Sequence, residues 1–94
     1  MKVKAFQSID TALKIFYTYP EIGNKQLREL FGENTSSATI ERYKKAVREK
    51  QAERNILTNG CYTINTEVAY EVFGIDISDL ERRRSKLIKL GMLN

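Results

Sequence analysis

Turn signals at Tyr19-Pro20, Gly32, Asn59-Gly60, Gly74 and Gly91 cut the chain into short segments, and within most of them the apolar residues recur at helical spacing. That punctuation constrains the fold to several small helices stacked on one shared core. Ser8 can cap a first helix over 9–17, in which Ile9, Ala12, Leu13 and Phe16 fall on one face. Tyr19-Pro20 ends it, because proline disfavours helical geometry in the residue before it. Asn24 can cap a short helix over 25–31 with Leu27, Leu30 and Phe31 as its apolar face, and Gly32 suits a left-handed turn after it. A polar loop, 33–37, follows, in which either Ser36 or Ser37 can cap the next segment.

That segment, 37–54, is predicted to be the longest helix. Ile40, Tyr43 and Val47 define its inward stripe, and Thr39, Arg42, Lys45 and Glu49 lie away from it. Ile56-Leu57-Thr58 and Cys61-Tyr62-Thr63-Ile64 flank Asn59-Gly60, which predicts a small β-hairpin at 56–64. Asn65 or Thr66 can cap a fourth helix through Phe73, with Val68, Ala69, Val72 and Phe73 apolar. Ser78-Asp79-Leu80-Glu81 has the form of a capping box, so a fifth helix is expected from there to about Leu90. Gly91 suits the left-handed position after it, with Met92 packing back on Leu87.

Length and composition set the remaining bounds. The 94 residues suit one domain, 1–94, with 41% hydrophobic and 30% charged residues. No apolar run approaches the ~20 residues of a membrane span. The start, Met-Lys-Val-Lys-Ala-Phe-Gln-Ser, lacks the apolar stretch of a signal peptide. Cys61 is the sole cysteine, as in a reducing compartment, so a cytoplasmic protein is expected. The chain has no histidine, which removes the commonest general base and any Ser-His-Asp arrangement. One cysteine cannot build a zinc site, and no glycine-rich phosphate loop is present. Asp76 and Asp79 read as caps of the fifth helix. The expectation is a protein that is not an enzyme, with no cofactor, no metal and no small-molecule ligand.

The net charge is +4, and it is unevenly spread. Residues 1–35 sum to +1, residues 36–54 to +3, residues 55–78 to −3 and residues 79–94 to +3, counting Lys and Arg against Asp and Glu. Two basic segments flank an acidic one. Clustered positive charge fits a phosphate-backbone binder, and equally fits helices kept soluble by lysine and arginine.

The order helix, short helix, polar turn, longer helix, hairpin, helix is that of a winged helix–turn–helix domain. The sequence Ala38-Thr39-Ile40-Glu41-Arg42-Tyr43-Lys44-Lys45, preceded by serines, resembles the recognition helices of helix–turn–helix proteins, including the resolvase/invertase type. Gln26-Leu27-Arg28-Glu29-Leu30-Phe31-Gly32 resembles their first motif helix, so the resemblance spans 24–47. It implies a mainly α, winged helix–turn–helix-like bundle of about five helices that binds double-stranded DNA. It also implies base contacts from the serines and Arg42 and a phosphate contact from Thr39. The chain departs from the pattern in its turn, which runs seven positions from Gly32 to Thr39 where about five are common.

The residues support the same expectation independently. With Ile40 and Val47 turned inward, residues 36–50 present their other face to the major groove. Small polar Ser36, Ser37 and Thr39 permit close approach, and the helix N-terminus attracts phosphate. Arg42 can make a bidentate contact to guanine, worth about 1–3 kcal/mol of discrimination. Lys44, Lys45 and Arg48 suit phosphates. A small transcriptional regulator or a phage or plasmid DNA-binding protein is the expected class. The alternative is a protein-interaction adaptor of the same shape that does not bind DNA.

The Asn59-Gly60 tip carries no basic residue, so a plain turn is favoured over a wing that touches DNA. Residues 66–90 repeat the rhythm of 26–47, with Val68–Gly74 echoing Gln26–Gly32 and Leu80-Glu81-Arg82 echoing Ile40-Glu41-Arg42. Either this is a second helix–turn–helix unit, or the C-terminal helix within 76–94 supports the domain or forms a homodimer through Leu80, Leu87, Ile88 and Leu90. Half-sites one helical turn apart favour a dimer.

Overall fold

A computed structural model describes residues 1–92. Its elements, in chain order, are α1 (Ile9–Thr18), β1 (Glu21–Ile22), α2 (Asn24–Phe31), α3 (Ser37–Glu53), β2 (Ile64–Asn65), α4 (Thr66–Phe73) and α5 (Ile77–Lys89). The architecture is mainly helical, with one two-stranded antiparallel sheet. None of these helices is long and apolar enough to cross a membrane.

Local chemistry explains most helix ends. Ser8 accepts from the Thr11 amide at α1, Ser36 from the Thr39 amide at α3, and Asn65 from the Val68 amide at α4. Each such cap contributes about 1 kcal/mol over alanine. At their C-termini α3, α4 and α5 finish on Asn55, Gly74 and Gly91, all at positive φ. The following amides of Ile56, Ile75 and Met92 donate to Gln51 O, Tyr70 O and Leu87 O. These are Schellman endings, which turn the chain while giving partners to two of the last carbonyls of each helix.

Two helix starts differ from expectation. Gly23, not Asn24, precedes α2, because Gln26 Oε1 reaches back to the Gly23 amide and Asn24 is used elsewhere. Asp76, not Ser78, caps α5, and the expected capping box does not form. Starting the helix at Ile77 puts Ile77 and Leu80 on one face, where Leu80 is buried and Ile77 packs against the core. Gly32 is also not in the left-handed helical region. It leaves α2 at φ 121° and ψ 140°, an extended positive-φ conformation open mainly to glycine.

The core is continuous through all five helices. Ala12, Leu13 and Ile15 of α1 meet Leu27, Leu30 and Phe31 of α2, Ile40, Tyr43 and Val47 of α3, Val68, Ala69 and Tyr70 of α4, and Leu80 of α5. Phe31, Tyr43 and Phe73 form an aromatic triangle with ring centroids 5.2–5.7 Å apart. The Tyr70 hydroxyl donates to Ala12 O at 2.6 Å, so this buried phenol is satisfied, and burial pushes its pKa well above the ordinary tyrosine value. α5 lies against α1, where Arg84 pairs with Asp10 and the Tyr17 hydroxyl donates to Glu81.

The hairpin expected at 56–64 is absent. Ile64 pairs instead with Ile22 and Asn65 with Glu21, joining segments more than 40 positions apart. Neither Asn59 nor Gly60 has the positive φ that a type I′ turn requires. The reason is the Glu21 carboxylate, which accepts from the Asn59 amide at 2.6 Å, the Gly60 amide at 3.1 Å and the Thr63 hydroxyl at 2.6 Å. In the arrangement formed instead, Ile64 is buried and Ile56 packs against the core, while Leu57 and Tyr62 are left exposed. Around the sheet, Gln51 Oε1 accepts the Asn65 amide, and the Thr66 hydroxyl and amide donate to Tyr19 O and Pro20 O.

The Thr63 hydroxyl, followed by the Asn59 and Gly60 amides, holds the Glu21 carboxyl below the usual glutamate range. A carboxyl with a depressed folded pKa contributes stability above its unfolded value and loses it as pH falls through the folded one. NMR titration should therefore show the Asn59 and Gly60 amide shifts moving together in acid, at a midpoint below that of an ordinary glutamate. Glu21→Gln should abolish that movement. Gly60→Ala should loosen the same loop, since a Cβ there would lie 2.5 Å from Thr63 Oγ1.

Candidate nucleic-acid interface

α3 is seated by one face and free on the other. Ile40, Tyr43 and Val47 are fully buried, as the sequence stripe predicts, and Gln51 extends that stripe to the sheet. On the opposite side Ala38, Glu41, Arg42, Lys45, Glu49 and Ala52 are all exposed. Helical spacing puts Ala38, Arg42, Lys45 and Glu49 within one solvent-facing stripe.

The turn Gly32–Ser36 brings α2 and α3 together. Thr35 is buried, and its hydroxyl donates to Gly32 O at 2.7 Å. Arg28, in the last turn of α2, donates from Nε to Thr35 O at 3.3 Å and from Nη2 to Ser37 Oγ at 3.2 Å. Arg28 was not among the sequence candidates. Its one local signal was a basic residue near a helix C-terminus, which is common for unrelated reasons.

The candidate residues separate into groups. Ser36 spends its hydroxyl within the helix, accepting the Thr39 amide and donating to Thr39 Oγ1 at 2.9 Å. Ser37 is exposed and is oriented by Arg28. Thr39 is half-buried beside Arg42. Arg42 lies with its guanidinium carbon 5.6 Å from the centre of the Tyr43 ring, and among the described residues it enters no ion pair. Lys45 is exposed and Arg48 half-buried, both likewise outside any ion pair among the described residues. Glu41 and Glu49 share their face, so the charge there is mixed.

Lys44 does not belong to this surface. It is 2% exposed, turned beneath the start of α2, with its Nζ donating to Asn24 Oδ1 at 3.0 Å and lying 3.7 Å from Glu41 Oε1. Desolvation pushes its ammonium pKa below the ordinary lysine value, and Glu41 offsets this in part. The balance follows from magnitudes. A largely exposed partner such as Glu41 returns about 0–1 kcal/mol, whereas burying an ion costs several. The expectation of a phosphate contact fails because the residue sits between the buried stripe and the outward face, and α2 covers it.

The expected dimer residues also divide. Leu80 is 3% exposed and belongs to the core, so it cannot meet a partner. Leu87 is half-buried, whereas Ile88 and Leu90 are 40% and 64% exposed. Residues 93–94 of the C-terminal segment lie outside the described residues. On α5, Arg82 and Arg83 pair with Asp79 and Arg84 with Asp10. The arginine that echoes Arg42 is thus engaged by its own helix, unlike Arg42.

No family profile, no curated protein and no solved structure matches the chain.

The different settings of Lys44 and Lys45 predict different responses. Between its lowered folded pKa and the ordinary lysine value, the unfolded chain holds the Lys44 proton more tightly, so stability rises with pH across that window. Lys44→Met should keep or raise the melting temperature at neutral pH and flatten that alkaline rise. Lys45→Ala should leave both unchanged. Thermal melts across a pH series would read the contrast.

Proposed function

We propose that the chain binds double-stranded DNA through α3, with residues 36–50 lying in the major groove. The observation that carries this reading is the bare outward face of α3. A chain that kept a helix–turn–helix shape only for internal packing would be expected to cover that face, and no element among the described residues does. A helix fits the ~12 Å width of the major groove, and the small side chains of Ser37 and Ala38 let the leading turn approach closely. Arg42 is the base-reading candidate, because it is exposed, in no ion pair among the described residues, and braced against the Tyr43 ring. Ser37 joins it at the leading end. Thr39, Lys45 and Arg48 serve phosphates on either side, and Ser36 acts as the cap.

Homodimer formation extends this reading. Ile88 and Leu90 are exposed near the end of α5, with Leu87 beside them. Paired through these residues, two copies would present two α3 helices to two half-sites. In this arrangement the basic side chains Arg83 and Lys86, which border the same apolar surface, must splay apart.

Duplex binding should weaken with salt, by about 0.9 log units per log unit of salt for each phosphate neutralised. Arg42→Ala should cost about 1–3 kcal/mol on a selected site and relax preference at one base pair. Lys45→Ala should weaken all sequences alike and lower the salt slope by about one unit. Fluorescence anisotropy on a selected and a random duplex separates the two effects. An Arg42→Ala variant with unchanged affinity and unchanged preference would remove α3 as the reading element.

A further inference from the structure

The first eight residues form no helix or strand, yet they are fixed alongside α3. The Gln7 amide donates to Leu30 O at 2.9 Å, and the Lys4 amide donates to the Tyr43 hydroxyl at 2.9 Å. Val3 and Phe6 pack against the core, which anchors the segment at two points. Lys2 and Lys4 flank Val3 and are exposed. The Lys4 Nζ donates to Thr35 Oγ1 at 3.2 Å, in the turn that leads into α3. Lys2, Val3 and Lys4 form one wall of a shallow depression whose other wall is Thr39, Arg42 and Tyr43. The segment and the first turns of α3 therefore make one continuous surface.

That surface is more basic than α3 alone. On the outward face of α3, Glu41 and Glu49 stand among the cations Arg42, Lys45 and Arg48, so the charge there is mixed. Neither Lys2 nor Lys4 pairs with a carboxylate among the described residues. Their ammonium groups are point charges on flexible stems, which suits phosphate oxygens better than base edges. Their Cα atoms, two positions apart, are separated by at most about 7 Å, a span that admits contact with neighbouring phosphates of one strand.

We propose that residues 2–4 are a second DNA-contacting element, in which Lys2 and Lys4 neutralise backbone phosphates on the strand bordering the groove that α3 enters. The inference rests on the DNA reading of α3. Its effect is to set the register of the helix, because the hydrogen bond between the Lys4 amide and Tyr43 ties the phosphate contacts to the residue that braces Arg42. Phosphate contacts position and base contacts specify, so this element should add affinity without changing sequence preference.

The test is the salt dependence of binding to a short fluorescein-labelled duplex of random sequence, and then to a selected one. Lys2→Ala/Lys4→Ala is compared with Lys14→Ala/Lys89→Ala, which removes the same charge from exposed sites on α1 and α5. The first variant should lower the salt slope by about two units, with affinity falling on the order of tenfold or more and preference unchanged. The control should keep the slope of the unmodified protein. Lys2→Ala alone, which breaks no hydrogen bond in the structure, should lower the slope by about one unit with an unchanged melting temperature. An unchanged slope in the double variant, or an equal fall in the control, would overturn the arm contact while leaving the α3 reading intact. Absence of duplex binding by the unmodified protein at low salt would instead overturn the α3 reading, and this inference with it.

Discussion

Tyr43 is the residue on which the separate parts of the molecule converge. Its ring is fully buried between Phe31 of α2 and Phe73 of α4, and its hydroxyl accepts the amide of Lys4. One side chain thereby fixes the rotation of α3 about its axis, the crossing of α2 and the course of the N-terminal segment. The next residue, Arg42, inherits its direction from that rotation. Were the Tyr43 position filled by a smaller side chain, the loss would combine missing aromatic contacts with a cavity, and α3 would lose the reference that aims its exposed face. The direction of the exposed face of α3 is thus a property of the core.

Much of this was legible in the chain because it depends on local spacing. The stripe Ile40, Tyr43, Val47 is buried as its periodicity requires, and the caps Ser8, Ser36 and Asn65 and the endings at Gly74 and Gly91 are choices made within a few residues. The parts that were not legible depend on partners far away in sequence. Glu21 captures Asn59, Gly60 and Thr63, about 40 positions later, and so overrides a strong hairpin signal. Lys44 is drawn under Asn24, twenty positions earlier. A lysine beside a buried stripe and one opposite to it look alike in composition, and only the placement of α2 separates Lys44 from Lys45.

The same distinction governs the candidate site. The sequence puts forward Arg42 and Lys45 as candidates because they lie off the apolar stripe of one helix, and the structure leaves both exposed. It did not identify Arg28, whose role comes from the geometry of the turn between two helices. Nor did it single out Lys2 and Lys4, whose segment has no periodicity to place it. In each missed case the signal is a charge whose position is set by another element, and helix-by-helix reading does not carry that information.

The connection between α2 and α3, Gly32–Ser36, is held from three sides. A longer connection would ordinarily leave the start of α3 loosely held, at an entropic cost for every residue ordered on binding. Here the turn is closed from inside by the Thr35 hydroxyl on Gly32 O, from α2 by Arg28 on Thr35 O and Ser37, and from the N-terminal segment by Lys4 on Thr35. Two of those three clamps are cations. They hold the leading turn of α3 in place and at the same time surround it with positive charge. A phosphate arriving there would meet a turn already ordered, so less of the electrostatic attraction would be spent on ordering it. On the proposed reading, the same two cations, Arg28 and Lys4, would both brace this turn and attract a phosphate to it.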